Sequence, residues 1–177
     1  MKRESLLVFA KPYYEGKDIM HDLWHIELVE KKVEQIIAMG NYKVDRESLL
    51  LATWFHGFIY KDETAIINWL REHDYAEETI NRIVQIAWES QRREVPETLE
   101  GKILHDAHVL EGGKTYLVVK TLITGSVRGQ SLKDTLAYME KNVLGKNVCY
   151  LPETIPLCEE MNRYAEDFCA ALQEGIR

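Results

Sequence analysis

Along the chain, stretches in which apolar residues recur every three or four positions alternate with short polar or glycine-bearing breaks. Over residues 18–39, Ile19, Leu23, Ile26, Val29, Val33, Ile36 and Ile37 fall at helical steps, and Gly40-Asn41 closes the run. This spacing predicts an amphipathic helix with one buried stripe. Residues 46–55 predict a second helix, apolar nearly all round at Leu49, Leu50, Leu51, Ala52, Trp54 and Phe55, which places it at the centre of a core. Residues 64–72 and 77–91 predict two more, parted by His73-Asp74-Tyr75. Pro96-Glu97-Thr98 predicts a helix start, because a proline in the first turn loses no helical hydrogen bond. That helix is expected to reach Leu110, before Glu111-Gly112-Gly113. Residues 116–123 are rich in β-branched side chains and suit a strand as well as a helix. With no obvious partner strand elsewhere, helix is the better reading. Residues 132–143 and 154–174 predict the last two helices. The expected fold class is therefore all-α: a single-domain helical bundle over residues 1–177, with residues 130–177 as a C-terminal helical extension packed on it.

Composition narrows the function classes. The chain has 177 residues, 46% hydrophobic and 29% charged, with 22 Lys and Arg against 29 Asp and Glu, a net charge of −7. A chain of this length buries roughly 70% of its unfolded surface and folds without disulfides or metal. The acidic balance argues against extended nucleic acid as a partner, since that grip rests on many Lys and Arg contacts to phosphates. It leaves room for a small phosphorylated molecule, whose charge a few basic groups or one metal ion offset locally. Cys149, Cys158 and Cys169 are odd in number and lack zinc-knuckle or redox spacing, which predicts buried thiols in a reducing compartment. The apolar stretch from Leu6 to Ala10 ends at Lys11-Pro12 and is too short for a signal peptide's core or a membrane span. A cytoplasmic protein without a membrane partner is expected.

The candidate chemistry lies in the histidines. His21-Asp22-Leu23-Trp24-His25 puts two imidazoles at i and i+4, His56 follows the apolar run of the second helix, and His105-Asp106-Ala107-His108 lies late in another. Imidazole and carboxylate ligands suit zinc, manganese or iron, and bundles build metal sites by collecting such groups from separate helices. His21 and His25 also share the spacing of the zinc-protease helix. There the base is a glutamate after the first histidine, whereas here it is the shorter Asp22, and no third ligand follows at familiar spacing. His73, in a turn, reads as a surface residue.

In order and spacing, these clusters resemble the HD superfamily of metal-dependent phosphohydrolases, whose ligands run His … His-Asp … Asp along an all-helical core. The small stand-alone bacterial members are the most similar subgroup. Their opening motif, His-Asp-x-x-His-x-x-Arg-Val, matches residues 21–29; the apolar helix ending in His-Asp matches Ala52-Thr53-Trp54-Phe55-His56-Gly57; Asp-Ala-Asp-x-Leu matches Asp106-Ala107-His108-Val109-Leu110. Residues 138–144 and 160–168 are similar to the subgroup's tail. The resemblance implies an HD-type bundle and metal ligands at His25, His56 and Asp106. It also implies a divalent ion (Mn, Fe, Zn or Mg) that lowers the pKa of water for attack on phosphorus.

The departures bear on activity. Gly57 stands at the defining aspartate, Tyr60 at an acid three residues on, Leu28 at the arginine of the first motif, and His108 at the second aspartate of the third. Losing a carboxylate at residue 57 predicts weaker metal retention and one ion rather than two. Asp62 and Glu63, in the following loop, are the nearest carboxylates to fill the gap. Asp22 and Lys61 are the candidate catalytic assistants. Lys61, Arg92, Arg93, Lys114 and Lys120 are candidate phosphate contacts, each also readable as solvated surface, and Trp24 and Trp54 are candidate base-stacking groups, each also readable as core. Two functions are consistent with this pattern: a phosphohydrolase of small nucleotides or related phosphoesters, or a catalytically impaired HD-fold protein that binds a ligand or partner.

Overall fold

The computed structural model describes residues 3–91 and 94–176. Arg92 and Arg93, two of the candidate phosphate contacts, lie outside the described residues. The described residues are all-helical: α1 (Arg3–Glu15), α2 (Leu23–Gly40), α3 (Arg46–Phe55), α4 (Ile59–Glu72), α5 (Glu77–Glu89), α6 (Leu99–Val109), α7 (Tyr116–Val127), α8 (Leu132–Asn142) and α9 (Ile155–Gly175). The ambiguous segment at 116–123 is helical, as expected. The chain divides into two compact units, Met1–His108 and Val109–Arg177.

In the first unit α3 is the centre, packed against α1, α2 and α5, while α4 also packs on α5. Its Leu49, Leu51, Ala52 and Phe55 are at most 1% exposed, as its all-round apolar pattern requires. Asp45 starts the helix: its Oδ1 accepts from the amides of Glu47 and Ser48, both at 3.1 Å. These are amides that the first turn cannot bond internally. At the end of α2, Asn41 takes the left-handed conformation (φ 49°), and Tyr42 N donates to Ile37 O at 3.1 Å. Asparagine tolerates this conformation better than most residues do. Glu100 of α6 is buried and accepts from Arg82 of α5 at 2.5 Å and from Asp45 N at 3.5 Å, tying three elements together.

Two expectations change in the first forty residues. The basic-apolar opening is helix α1, whose Phe9 and Tyr13 pack on the α4 region: Tyr13 stacks on Phe58 at 4.0 Å and Phe9 on Trp69 at 5.4 Å. The long helix expected from residue 18 begins instead at Leu23, and Ile19, placed on its buried stripe by periodicity, is 63% exposed. Asp18 explains the difference. Its carboxylate accepts from Met20 N at 2.9 Å and its carbonyl from His21 N at 2.9 Å, which holds the chain in a turn that competes with helix.

The second unit forms around α7, α8 and α9. Val118, Leu136, Met139, Val143, Ala165 and Cys169 make one buried cluster, and Leu110, Cys149, Cys158 and Met161 a second. All three cysteines are buried free thiols, as expected, and burial pushes the Cys169 thiol up. Lys114 and Lys120 of this unit are held in ion pairs with Glu160 and Glu111. No helix among the described residues is long and apolar enough to cross a membrane.

Candidate metal centre

The site lies within the first unit and is built from three chain segments. Asp22 caps α2: its Oδ1 accepts from Trp24 N at 2.9 Å and from His25 N at 3.3 Å. A carboxylate there satisfies two open amides and faces the positive end of the helix dipole. It fixes the first turn of α2, and with it His25, which is buried. His21 precedes the cap; its Nδ1 is 2.7 Å from Asp18 Oδ1 and its ring lies 5.9 Å from that of His25, centroid to centroid.

His56 closes α3 and is 2% exposed. Its Nδ1 lies 2.5 Å from Thr53 O. A carbonyl only accepts, so Nδ1 carries the proton and Nε2 presents the lone pair. This backbone anchor is the kind that orients metal-ligating histidines. The carbonyls at the end of α3 are taken up one after another: Thr53 O by His56 Nδ1, Trp54 O by the Tyr14 hydroxyl at 2.7 Å and Phe55 O by Phe58 N at 3.0 Å. His56 O follows with Gln91 Nε2 at 2.8 Å, and Gly57 O with Lys17 Nζ at 2.6 Å. A cation suits this negative end of the helix.

The third segment is the last turn of α6. Asp106 is wholly buried and His105 6% exposed, with 3.3 Å between His105 Nδ1 and Asp106 Oδ1. His108, two residues on, is half-buried. One ligand atom from each of His25, His56 and His108 lies within 4.8 Å of the others. The ring centroids stand 5.5 Å apart for His25–His56, 5.5 Å for His25–His108 and 5.0 Å for His56–His108.

The structure thus joins His25 and His56 with His108, which the sequence reading treats as a lost acid. The missed signal is chemical: a histidine in place of a carboxylate exchanges one ligand for another. Three imidazoles fit a divalent ion of the zinc type, which catalytic sites hold by three protein ligands with a fourth position open, at bonds of about 2.0–2.1 Å. Lys61 is exposed on α4. Asp62 accepts from the Tyr13 hydroxyl at 2.9 Å and from Ala65 N at 3.1 Å, and Glu63 from Trp88 Nε1 at 2.5 Å, so both carboxylates have other work. Trp54 belongs to the core, at 4% exposed with Nε1 donating to Glu30 at 3.2 Å, whereas Trp24 is 52% exposed beside His25. Tyr14, Lys17 and Gln91 were not singled out by any motif, since each acts on a backbone carbonyl.

Gly57 is packed from the side. A Cβ at this position would stand 2.5 Å from the Tyr14 hydroxyl oxygen and 2.8 and 3.0 Å from two of its ring carbons. Tyr14 is 1% exposed, and burial pushes its phenol far above its ordinary range, so it stays a protonated donor.

Among known proteins, no family model matches the chain, and no curated protein matches it by sequence. Solved structures do match in shape. The Lin1889 protein from Listeria innocua has a TM-score of 0.71 at 23% identity, over 99% of this chain and 98% of that one. Bacillus subtilis YpgQ, solved in complex with ADP, has a TM-score of 0.75 at 17% identity, over 99% and 98%. At these identities the likeness is one of fold: this chain shares the all-helical architecture of small bacterial proteins.

Proposed function

We propose that this chain is an HD-type, metal-dependent phosphohydrolase acting on a small nucleotide or related phosphoester. One observation carries the reading: imidazoles from the starts or ends of three separate helices converge within 4.8 Å. Such convergence of polar side chains, two of them buried and one half-buried, is costly to build for packing alone. Two further facts support it. The order of His25, His56 and Asp106 is similar to that of the HD superfamily, and a protein of the same fold binds ADP.

In this reading His25, His56 and His108 hold the ion. Asp106, a ligand by the resemblance, is buried two residues before His108 but is not one of the three groups that converge, and is kept as a further candidate ligand. A divalent ion held there supplies Lewis-acid charge for phosphoryl oxygens and an acidified water. The remaining work falls to the chain. His56 offers Nε2 because Thr53 O fixes its tautomer. Asp22 acts through the cap that sets the first turn of α2. Lys61 offers a cation to the phosphate, and the exposed face of Trp24 offers a surface on which a base can stack.

The test is metal content of protein purified without chelator, together with phosphate release from a nucleotide panel with Zn²⁺ or Mn²⁺ added. Bound metal and turnover are expected in the natural chain, with both lost in His56→Ala, the latter by at least 100-fold. Metal retention without turnover on any phosphoester would instead mark a ligand-binding protein that has lost the chemistry. Retention unaffected by His56→Ala would end the metal-centre reading.

A further inference from the structure

We propose that Tyr14 is a positioning residue of this centre: its buried phenol holds the end of α3 so that His56 is aimed at a single ion, and it requires that residue 57 be glycine. This role rests on the metal-centre reading. Residue 57 adjoins His56, so a side chain there would be the nearest further group on α3's end to an ion held by His56. That space is filled, because a Cβ would come within 3.0 Å of three Tyr14 atoms. Real Cβ contacts essentially never come under 3.0 Å, as two of these three would, at 2.5 and 2.8 Å. Nor is Tyr14 a flexible surface group that swings aside: it is 1% exposed, meets Phe58 edge-on at 5.8 Å, and donates to Trp54 O at 2.7 Å.

The hydroxyl also carries load. Trp54 O is one of the last carbonyls of α3, which lie beyond the reach of the helix's own amides. Its neighbours on the chain, Thr53 O, His56 O and Gly57 O, are bonded by His56 itself, Gln91 and Lys17. Tyr14 completes a set of bonds that leaves the α3 terminus one arrangement, and His56 is part of that terminus. Residue 57 therefore contributes no ligand, and the centre depends on imidazoles from three segments. Gly57 is the counterpart of a tyrosine two helices earlier in the chain, not a vacancy.

A double-mutant cycle on the full chain separates this from mere packing, because two residues that share one space lose their effects non-additively. Zn²⁺ affinity is read by calorimetry, and melting temperature by circular dichroism. Gly57→Ala alone is expected to weaken zinc binding about tenfold, within the range for groups that orient a ligand. In a Tyr14→Ala background the same change is expected to cost less than twofold further. Tyr14→Phe, which keeps the ring and folds most readily, is expected to weaken zinc binding by about tenfold as well. Gly57→Ala binding zinc like wild type, equal losses from it in both backgrounds, or an unaffected Tyr14→Phe would each overturn the proposal. A flat zinc isotherm for the wild-type chain would instead sink the metal centre itself, and this role with it.

Discussion

Asp45 shows how single side chains set the frame for the site. Its carboxylate caps α3, and the Ser48 hydroxyl, bonded to it at 2.6 Å, holds its carboxyl below the ordinary carboxylate range, with Arg82 adding to the effect. A carboxyl whose folded pKa is depressed stabilises the fold above its unfolded pKa and loses that stabilisation as pH falls through the folded value. The expected outcome is a loss of stability setting in below about pH 4 that is smaller in Asp45→Asn, which keeps the capping oxygen but not the charge. Asp45→Ala should lower stability by about 1 kcal/mol at neutral pH, measured by urea denaturation. Asp22 has the same cap geometry at α2, and its residue type and position were legible in the sequence. Its work on the backbone was not, because the sequence places the start of that helix at residue 18 and so puts Asp22 inside it.

Among the elements, α3 is where sequence and structure agree most closely, residue for residue over Arg46–Phe55. A helix apolar on all sides has no solvated solution, so burial at the centre follows from composition alone. Leu51, wholly buried, is the test: Leu51→Ala is expected to cost about 2–5 kcal/mol in unfolding experiments, the range for a core leucine. Helix α1 shows the opposite case. Its apolar residues Leu6 and Ala10 are 0% exposed, yet the segment is short and holds Pro12, so periodicity gives it little weight. It is fixed by tertiary contacts, chiefly the stacking of Phe9 and Tyr13 on Trp69 and Phe58. The α4 segment likewise starts at Ile59 rather than 64, with Asp62 breaking it (φ −152°, ψ 61°) and capping the next turn through Ala65 N. Asp62 is a favoured capping residue, which is why the sequence starts a helix just after it; the extra turn before it, Ile59–Lys61, carries no such local signal.

At the scale of the molecule, a centre that binds only the folded chain couples metal to stability. Zn²⁺ at 100 times its dissociation constant should add about 2.7 kcal/mol. For a chain of this size that corresponds to a rise in melting temperature of roughly 5–10 °C. Chelation should reverse the rise in the natural chain, and His56→Ala should show none, both by calorimetric scanning.

The sequence by itself determined the all-helical class, the buried thiols, the central place of α3, and two of the three histidines that meet. The first three follow from residue type and spacing within one segment, where 3.6-residue periodicity and side-chain chemistry act directly, and the two histidines from the resemblance of their motifs to the HD superfamily. What only the tertiary structure decided is which groups share a space. His108 joins His25 and His56, Tyr14 occupies the room beside Gly57, and Lys17 and Gln91 hold the carbonyls after α3. These pairings join residues roughly 35 to 80 positions apart, and most of their partners are backbone oxygens or empty volume. Neither leaves a mark in the order of side chains, since a carbonyl is the same at every residue and a gap is filled by whichever helix packs against it.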